Sequence, residues 1–387
     1  MRALVRSVLV AALLVPAACG SGSAPPPPPE LLRPAWQEQR LPVPPGPAGR
    51  LAVRDATTCG SHWYVVGAVI GPDDSTRPAA WTSPDGQRWT SLAFRPRTFY
   101  GEQAVLYTAA CHGDAFAAVG AKSGGAHGNP RVTTWYQRDD GVMDEVLAAF
   151  SQYGGPTAGN VSRIAAGPEG WLIAGNRNNG AAVWLSPDAK GFVLLAGVPG
   201  LANDPDVRTT AVDALGRPDG WVLVGAYQRV DRIDRDPAAW TSEDGRTWTR
   251  VEVAGTDGYE EMQRVVDRGS ELVAVGLAGP AFGAWRGTGG SWRPAGQFGS
   301  TGGSGTAIVR SAAAAAGEVF ASASDGTAFG LWSSADAGQT WRGVVLPGAA
   351  PAGSDRSAAI AGAGDLLVLV VDDGQTGKVW STKIAPG

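Results

Sequence analysis

Residues 221–248 read Trp221-Val-Leu-Val-Gly225, a polar stretch, Ala239-Trp240-Thr241, then Ser242-Glu-Asp244-Gly245-Arg-Thr247-Trp248. The short apolar run that stops at glycine has the pattern of a buried strand. The two tryptophans that follow bracket a polar turn. The middle tryptophan recurs along the chain as Trp81, Trp135, Trp184, Trp240, Trp285, Trp332 and Trp380, at spacings of 54, 49, 56, 45, 47 and 48 residues. The apolar run recurs as Trp63 to Gly67, Phe116 to Gly120, Trp171 to Gly175 and Leu272 to Gly276, with weaker copies at Val319 to Ser322 and Leu366 to Val370. A third column holds Trp89, Met143, Phe192, Trp248, Trp292 and Trp341. Its seventh member is missing from the C-terminal end and is supplied by Trp36 near the other end. With that placement all 15 tryptophans fall into three columns.

A unit of about fifty residues cannot bury its own apolar faces, whereas seven stacked radially can. The pattern therefore predicts an all-β fold. It is a seven-bladed β-propeller of four-stranded blades over residues 34–387, with an N-terminal strand closing the last blade. Closure removes the free sheet edge.

The first 33 residues have a different character. Arg2 and Arg6 precede an apolar stretch, Val8 to Ala18, which is too short to span a bilayer and suits a secretory signal over residues 1–18. The run Pro16-Ala17-Ala18-Cys19 resembles the lipobox of bacterial lipoproteins. That resemblance implies cleavage before Cys19, lipidation of its thiol and attachment to the outer face of the cell membrane. Gly/Ser residues and Pro25 to Pro29 then form a tether over residues 19–33.

Composition narrows the function. The chain has 32 basic and 36 acidic side chains, a net charge of −4, which argues against nucleic-acid binding. Three cysteines and three histidines exclude multi-metal clusters and disulfide-dense scaffolds. No cofactor and no metal are expected, and a monomer is. Cys59 and Cys111 end equivalent strands of neighbouring blades, and export permits oxidation, so they are expected to form a disulfide. The alternative is a zinc site completed by His62 and His112.

The polar turns carry the most specific motif. They read Ser83-Pro-Asp85-Gly86-Gln-Arg-Trp89, Ser242-Glu-Asp244-Gly245-Arg-Thr-Trp248 and Ser334-Ala-Asp336-Ala-Gly338-Gln-Thr-Trp341. The last has the full Ser-x-Asp-x-Gly-x-Thr-Trp form, and the chain resembles the Asp-box, or BNR-repeat, β-propellers. Sialidases, sortilin-type receptors, some glucanases and a photosystem-assembly factor belong to that superfamily. The resemblance implies that these turns are structural and peripheral. A sialidase relation extends to the fold only. Arg40-Leu41-Pro42 is similar to the sialidase Arg-Ile-Pro signature, but Gln39 stands where an aromatic is usual and sialidases have six blades.

Candidate ligand groups lie elsewhere. Arg54, Arg163, Arg208, Arg264, Arg310 and Arg356 occur near the start of six inner strands, where blade two has Leu106-Tyr107. Facing the axis they would form a basic ring able to grip carboxylates, phosphates or sulfates. Facing the blades they would pair with Asp55, Asp267 and Asp355. Tyr100 and Tyr259, on loops of the face where the inner strands begin, are further candidates for recognition. Glycoside hydrolysis would need two carboxylates, with Glu102, Asp204, Asp206, Glu260 and Glu261 on the same loops. No catalytic set is assigned. The reading is a membrane-anchored extracytoplasmic binding or scaffolding module for an envelope protein or an anionic glycan. The alternative is a carbohydrate-active hydrolase.

Overall fold

A computed structural model describes residues 30–124, 129–269 and 271–385 of the chain. The expected signal segment, Cys19 and most of the expected tether lie outside the described residues, as does His127. Seven sheets follow one another, each built on antiparallel strands taken in sequence order, four in blades one to six and three in blade seven. Blade one runs Arg50–Cys59, His62–Ile70, Thr76–Ser83 and Thr90–Ser91. The first strands of the later blades are Val105–His112, Ala158–Gly167, Val207–Arg217, Glu260–Asp267, Ile308–Ala315 and Ser357–Ala363. Each of these contacts the first strand of the next blade, and the seventh contacts the first, so together they line the axis of a closed ring. Blade two carries an unexpected fifth strand, Phe94–Arg95, parallel to Met143–Val146.

Closure uses the N-terminal segment. Gln37–Gln39 pairs antiparallel with Gly377–Lys383, with Glu38 opposite Trp380. Trp36 donates from its indole to Val345 O at 2.8 Å. The Arg40-Leu41-Pro42 segment is a strut: Leu41 is buried and Pro42 O accepts from Trp81 Nε1 at 2.8 Å.

The core is repeated. Seven apolar clusters each join residues of two neighbouring blades. Trp81, Trp135, Trp184, Trp240 and Trp285 are among the most deeply buried side chains. The second column stops at glycine because a β-bulge brings the inner-strand carbonyl against that position. A Cβ at Gly67 would stand 1.8 Å from Ala52 O, and one at Gly276 1.8 Å from Glu261 O.

Polar turns link the third and fourth strands. In blade six Asp336 Oδ1 accepts from Ser334 Oγ (2.8 Å), Gln339 N (3.0 Å) and Thr340 N (2.8 Å). Trp341 Nε1 donates to Gly338 O at 3.0 Å, as Trp248 does to Gly245 O at 2.9 Å. Asp85 and Asp244 accept from the amides of their own turns in the same way. Backbone amides of Thr247 and Arg246 hold the Asp244 carboxyl down, at about 2. These carboxylates spend their oxygens on their own turns, as side chains that shape loops do.

Cys59 and Cys111 form a disulfide across blades one and two, with Cα atoms 5.3 Å apart. Both thiols are thereby consumed, which rules out the zinc alternative.

Candidate functional site

The register of the inner strands decides where the arginines go. In blades one to six a bulge adds one residue to the inner strand. The residue after the bulge is Asp55, Thr108, Arg163, Asp213, Arg264 or Ser311. Arg54 and Arg310 occupy the bulge itself. Arg208 lies three residues ahead of Ala211, at the exposed start of its strand, and donates to Asp204 O at 3.0 Å. Arg356 precedes its strand and donates to Ala352 O at 3.0 Å. The expected ring of six is therefore four. Sequence alignment missed this because a one-residue slip moves a side chain to the other face.

Of the four arginines, Arg163 pairs with two carboxylates and Arg54 with one. Arg163 Nη2 donates to Asp55 Oδ2 at 2.8 Å, and its Nε lies 3.5 Å from Asp213 Oδ1. Asp213 Oδ2 also accepts from Val265 N at 3.1 Å. Arg54 forms an ion pair with Asp372, which Arg50 joins at 3.0 Å. Arg264 Nε donates to Arg310 O at 2.8 Å, and Arg310 to Ser357 Oγ and Arg54 O, both at 3.0 Å. The Tyr107 hydroxyl donates to Val161 O at 2.9 Å. Asp55, Tyr107, Arg163, Asp213, Arg264, Arg310 and Ser357 thus supply one polar side chain per blade.

Burial dominates their electrostatics. It pushes the Arg264 guanidinium down to about 9, with Arg163 adding repulsion, and Arg310 down to about 10. Both stay charged at neutral pH. Burial opposes the charge on Arg163 too, but Asp55 and Asp213 outweigh it and raise its pKa. Burial raises the Asp213 carboxyl. These arginines brace the ring internally; they line neither of the two cavities described next.

The more accessible site lies between blades two and three, on the face where the inner strands begin. A cavity of about 680 Å³ is lined by Tyr107, Arg131, Phe150, Tyr153, Pro156 and Val161 among others. A second, of about 190 Å³, shares Arg131, Phe150 and Tyr153 and adds Tyr100 and Glu145. Two four-residue helices, Phe99–Glu102 and Phe150–Tyr153, hold the aromatics in the loops joining blades. The Arg131 guanidinium carbon sits 4.3 Å from the centre of the Phe150 ring and 5.5 Å from that of Tyr100. Its buried Nε has no hydrogen-bond partner among the described residues. Phe99 is 67% exposed and Phe150 61%, unusual for large apolar side chains.

Tyr100 thus belongs to this groove. Tyr259 does not: it donates to Glu261 Oε2 at 2.9 Å, lies against Arg235 in blade four's loop, and burial pushes its hydroxyl up to about 12. Arg131 and Phe150 escaped the sequence reading. An Arg opening a strand and a Phe three residues before Tyr153 were the available signals.

Two of the candidate carboxylates, Glu260 and Glu261, are occupied elsewhere. Glu261 also takes Arg235 at 2.7 Å and Gln263 Nε2 at 2.9 Å, and Glu260 accepts from Thr256 N at 2.6 Å. In the groove, Glu145 accepts from Arg97 N at 2.5 Å, Thr98 N at 2.9 Å and Thr98 Oγ1 at 2.6 Å.

No protein-family model matches the chain. No curated protein matches it either. Solved structures do. YCF48 bound to D1 peptide is 16% identical, with a TM-score of 0.51 over 90% of this chain and 97% of that one. The acylaminoacyl peptidase of Pyrococcus horikoshii is 10% identical, with a TM-score of 0.50 over 87% of this chain and 52% of that one. A Hadza microbial sialidase is 12% identical, with a TM-score of 0.46 over 86% and 66%. At these identities the likeness is one of fold: the chain is a seven-bladed β-propeller, an architecture that serves both binding proteins and hydrolases.

Proposed function

We propose that this protein is a binding module, tethered by Cys19 to the outer face of the cell membrane, that docks a segment of another envelope protein in the groove between blades two and three. The observation that supports it most is Arg131, held between Phe150 and Tyr100 at the junction of two cavities. A guanidinium with an unused donor, framed by exposed rings, suits an apolar side chain next to a carboxylate. The single carboxylate of the smaller cavity, Glu145, is committed to backbone amides, so the paired carboxylates of a glycosidase have no counterpart among the lining residues.

The test uses the full chain in a bacterial host. Wild type is expected in the membrane fraction and Cys19→Ala outside it. A photo-crosslinking residue at Phe150 is expected to give one discrete protease-sensitive adduct, weakened at least about fivefold by Arg131→Ala. The same residue at Glu169, on the opposite face, gives none. A protease-resistant, sugar-bearing adduct would replace the protein partner by a glycan. Equal labelling at both positions would sink the groove as a site.

A further inference from the structure

The axial cluster does not balance its own charge. Five guanidinium groups, Arg50, Arg54, Arg163, Arg264 and Arg310, meet four carboxylates, Asp55, Asp213, Asp355 and Asp372. Arg50, Arg54 and Arg163 account for all four carboxylates in contacts of 3.5 Å or less. Arg264 and Arg310 have no carboxylate within ion-pair distance among the described residues; their donors go to backbone carbonyls and Ser357.

Arg264 is 6% exposed, so its charge has little bulk water to screen it. A buried cation is costly unless paired. Arg264 Nη2 and Arg310 Nη1 donate to no described residue. Asp55 Oδ1 is buried in the same cluster and accepts no hydrogen bond. Asp55 Oδ1 belongs to the inner strand of blade one, and the two free guanidinium nitrogens to those of blades five and six. Together they ask for a small occupant carrying negative charge, with water completing the carboxylate.

We propose that the axis of the propeller binds one small monovalent inorganic anion, of halide size, between the guanidinium groups of Arg264 and Arg310. The ion would neutralise the excess charge and tie blades five and six to the ring. It is independent of the groove between blades two and three.

The experiment is thermal unfolding of the purified protein in sodium chloride, bromide and gluconate at matched ionic strength, over 1 to 500 mM halide. A ligand bound only by the native state raises Tm with the logarithm of its concentration. The expected rise is about 1–2 °C per tenfold increase in chloride or bromide above the dissociation constant. Gluconate, too large for the site, should give none. Arg310→Met should abolish the halide dependence.

Because that variant could be too unstable to study, ³⁵Cl NMR on the wild-type protein supplies a second readout. Excess chloride line width that bromide competes away is expected. Equal Tm values in chloride and gluconate, together with no excess line width, would show that water alone fills the axis and would overturn the proposal.

Discussion

Arg163→Met should lower the stability of the propeller by about 3–5 kcal/mol at pH 7, the cost of stripping a buried ion pair of one partner. Arg163 joins Asp55 at 2.8 Å and Asp213 at 3.5 Å, so its removal leaves two buried carboxylates without their shared cation. Methionine keeps most of the volume, which separates the charge effect from a cavity effect. The pH dependence has a definite sign. Burial already raises the Asp213 carboxyl above its unfolded value. Without Arg163 it rises further. A carboxyl with a raised pKa in the native state favours folding below its unfolded pKa and loses that contribution as pH rises through the native value. The deficit of the variant should therefore shrink between pH 7 and pH 5. Adding Asp213→Asn should recover part of the loss at pH 7. Denaturant unfolding midpoints of the three proteins at both pH values decide the matter. A loss under about 1 kcal/mol at both pH values would mean that water solvates the axis and the cluster braces nothing.

Trp240→Ala should cost about 3–5 kcal/mol, as large-to-small changes of buried aromatics do. The side chain is fully buried between blades three and four. Its indole also donates to Gly200 O at 2.8 Å, fixing the loop that enters blade four. Trp184 does the same to Gln152 O at 2.7 Å and Trp81 to Pro42 O. In blades one, three and four the middle tryptophan is thus both core and clasp. Trp240→Phe should retain most of the packing and lose about 1 kcal/mol with the hydrogen bond. Calorimetry on the two variants separates these contributions. If alanine and phenylalanine behaved alike, the clasp would carry the effect and the packing little.

The axial arginines and the groove are separate features of the molecule. The arginines came into view in the sequence as a ring that would grip a ligand. In the folded protein Arg163 and Arg54 are spent on carboxylates, Arg208 and Arg356 donate to loop carbonyls at the rim, and Arg264 and Arg310 donate to backbone carbonyls and Ser357 at the axis. In the proposed function, recognition belongs instead to loops that differ from blade to blade. Residues that repeat in every unit build the ring, and residues that break the repeat are free to specialise.

What the sequence determined by itself is the architecture. The three tryptophan columns, the seven copies and the N-terminal Trp36 are features of spacing, and spacing survives in one dimension. So did the pairing of Cys59 with Cys111, because equivalent positions on adjacent blades are neighbours in any propeller. The tertiary structure alone decided which side chains meet. A bulge in six inner strands inserts one residue and changes which face each arginine takes, and no local pattern announces it. The groove around Arg131 draws together residues from Tyr100 to Val161 of the chain. Its geometry arises from how the blades pack against each other, a long-range property that residue spacing does not encode.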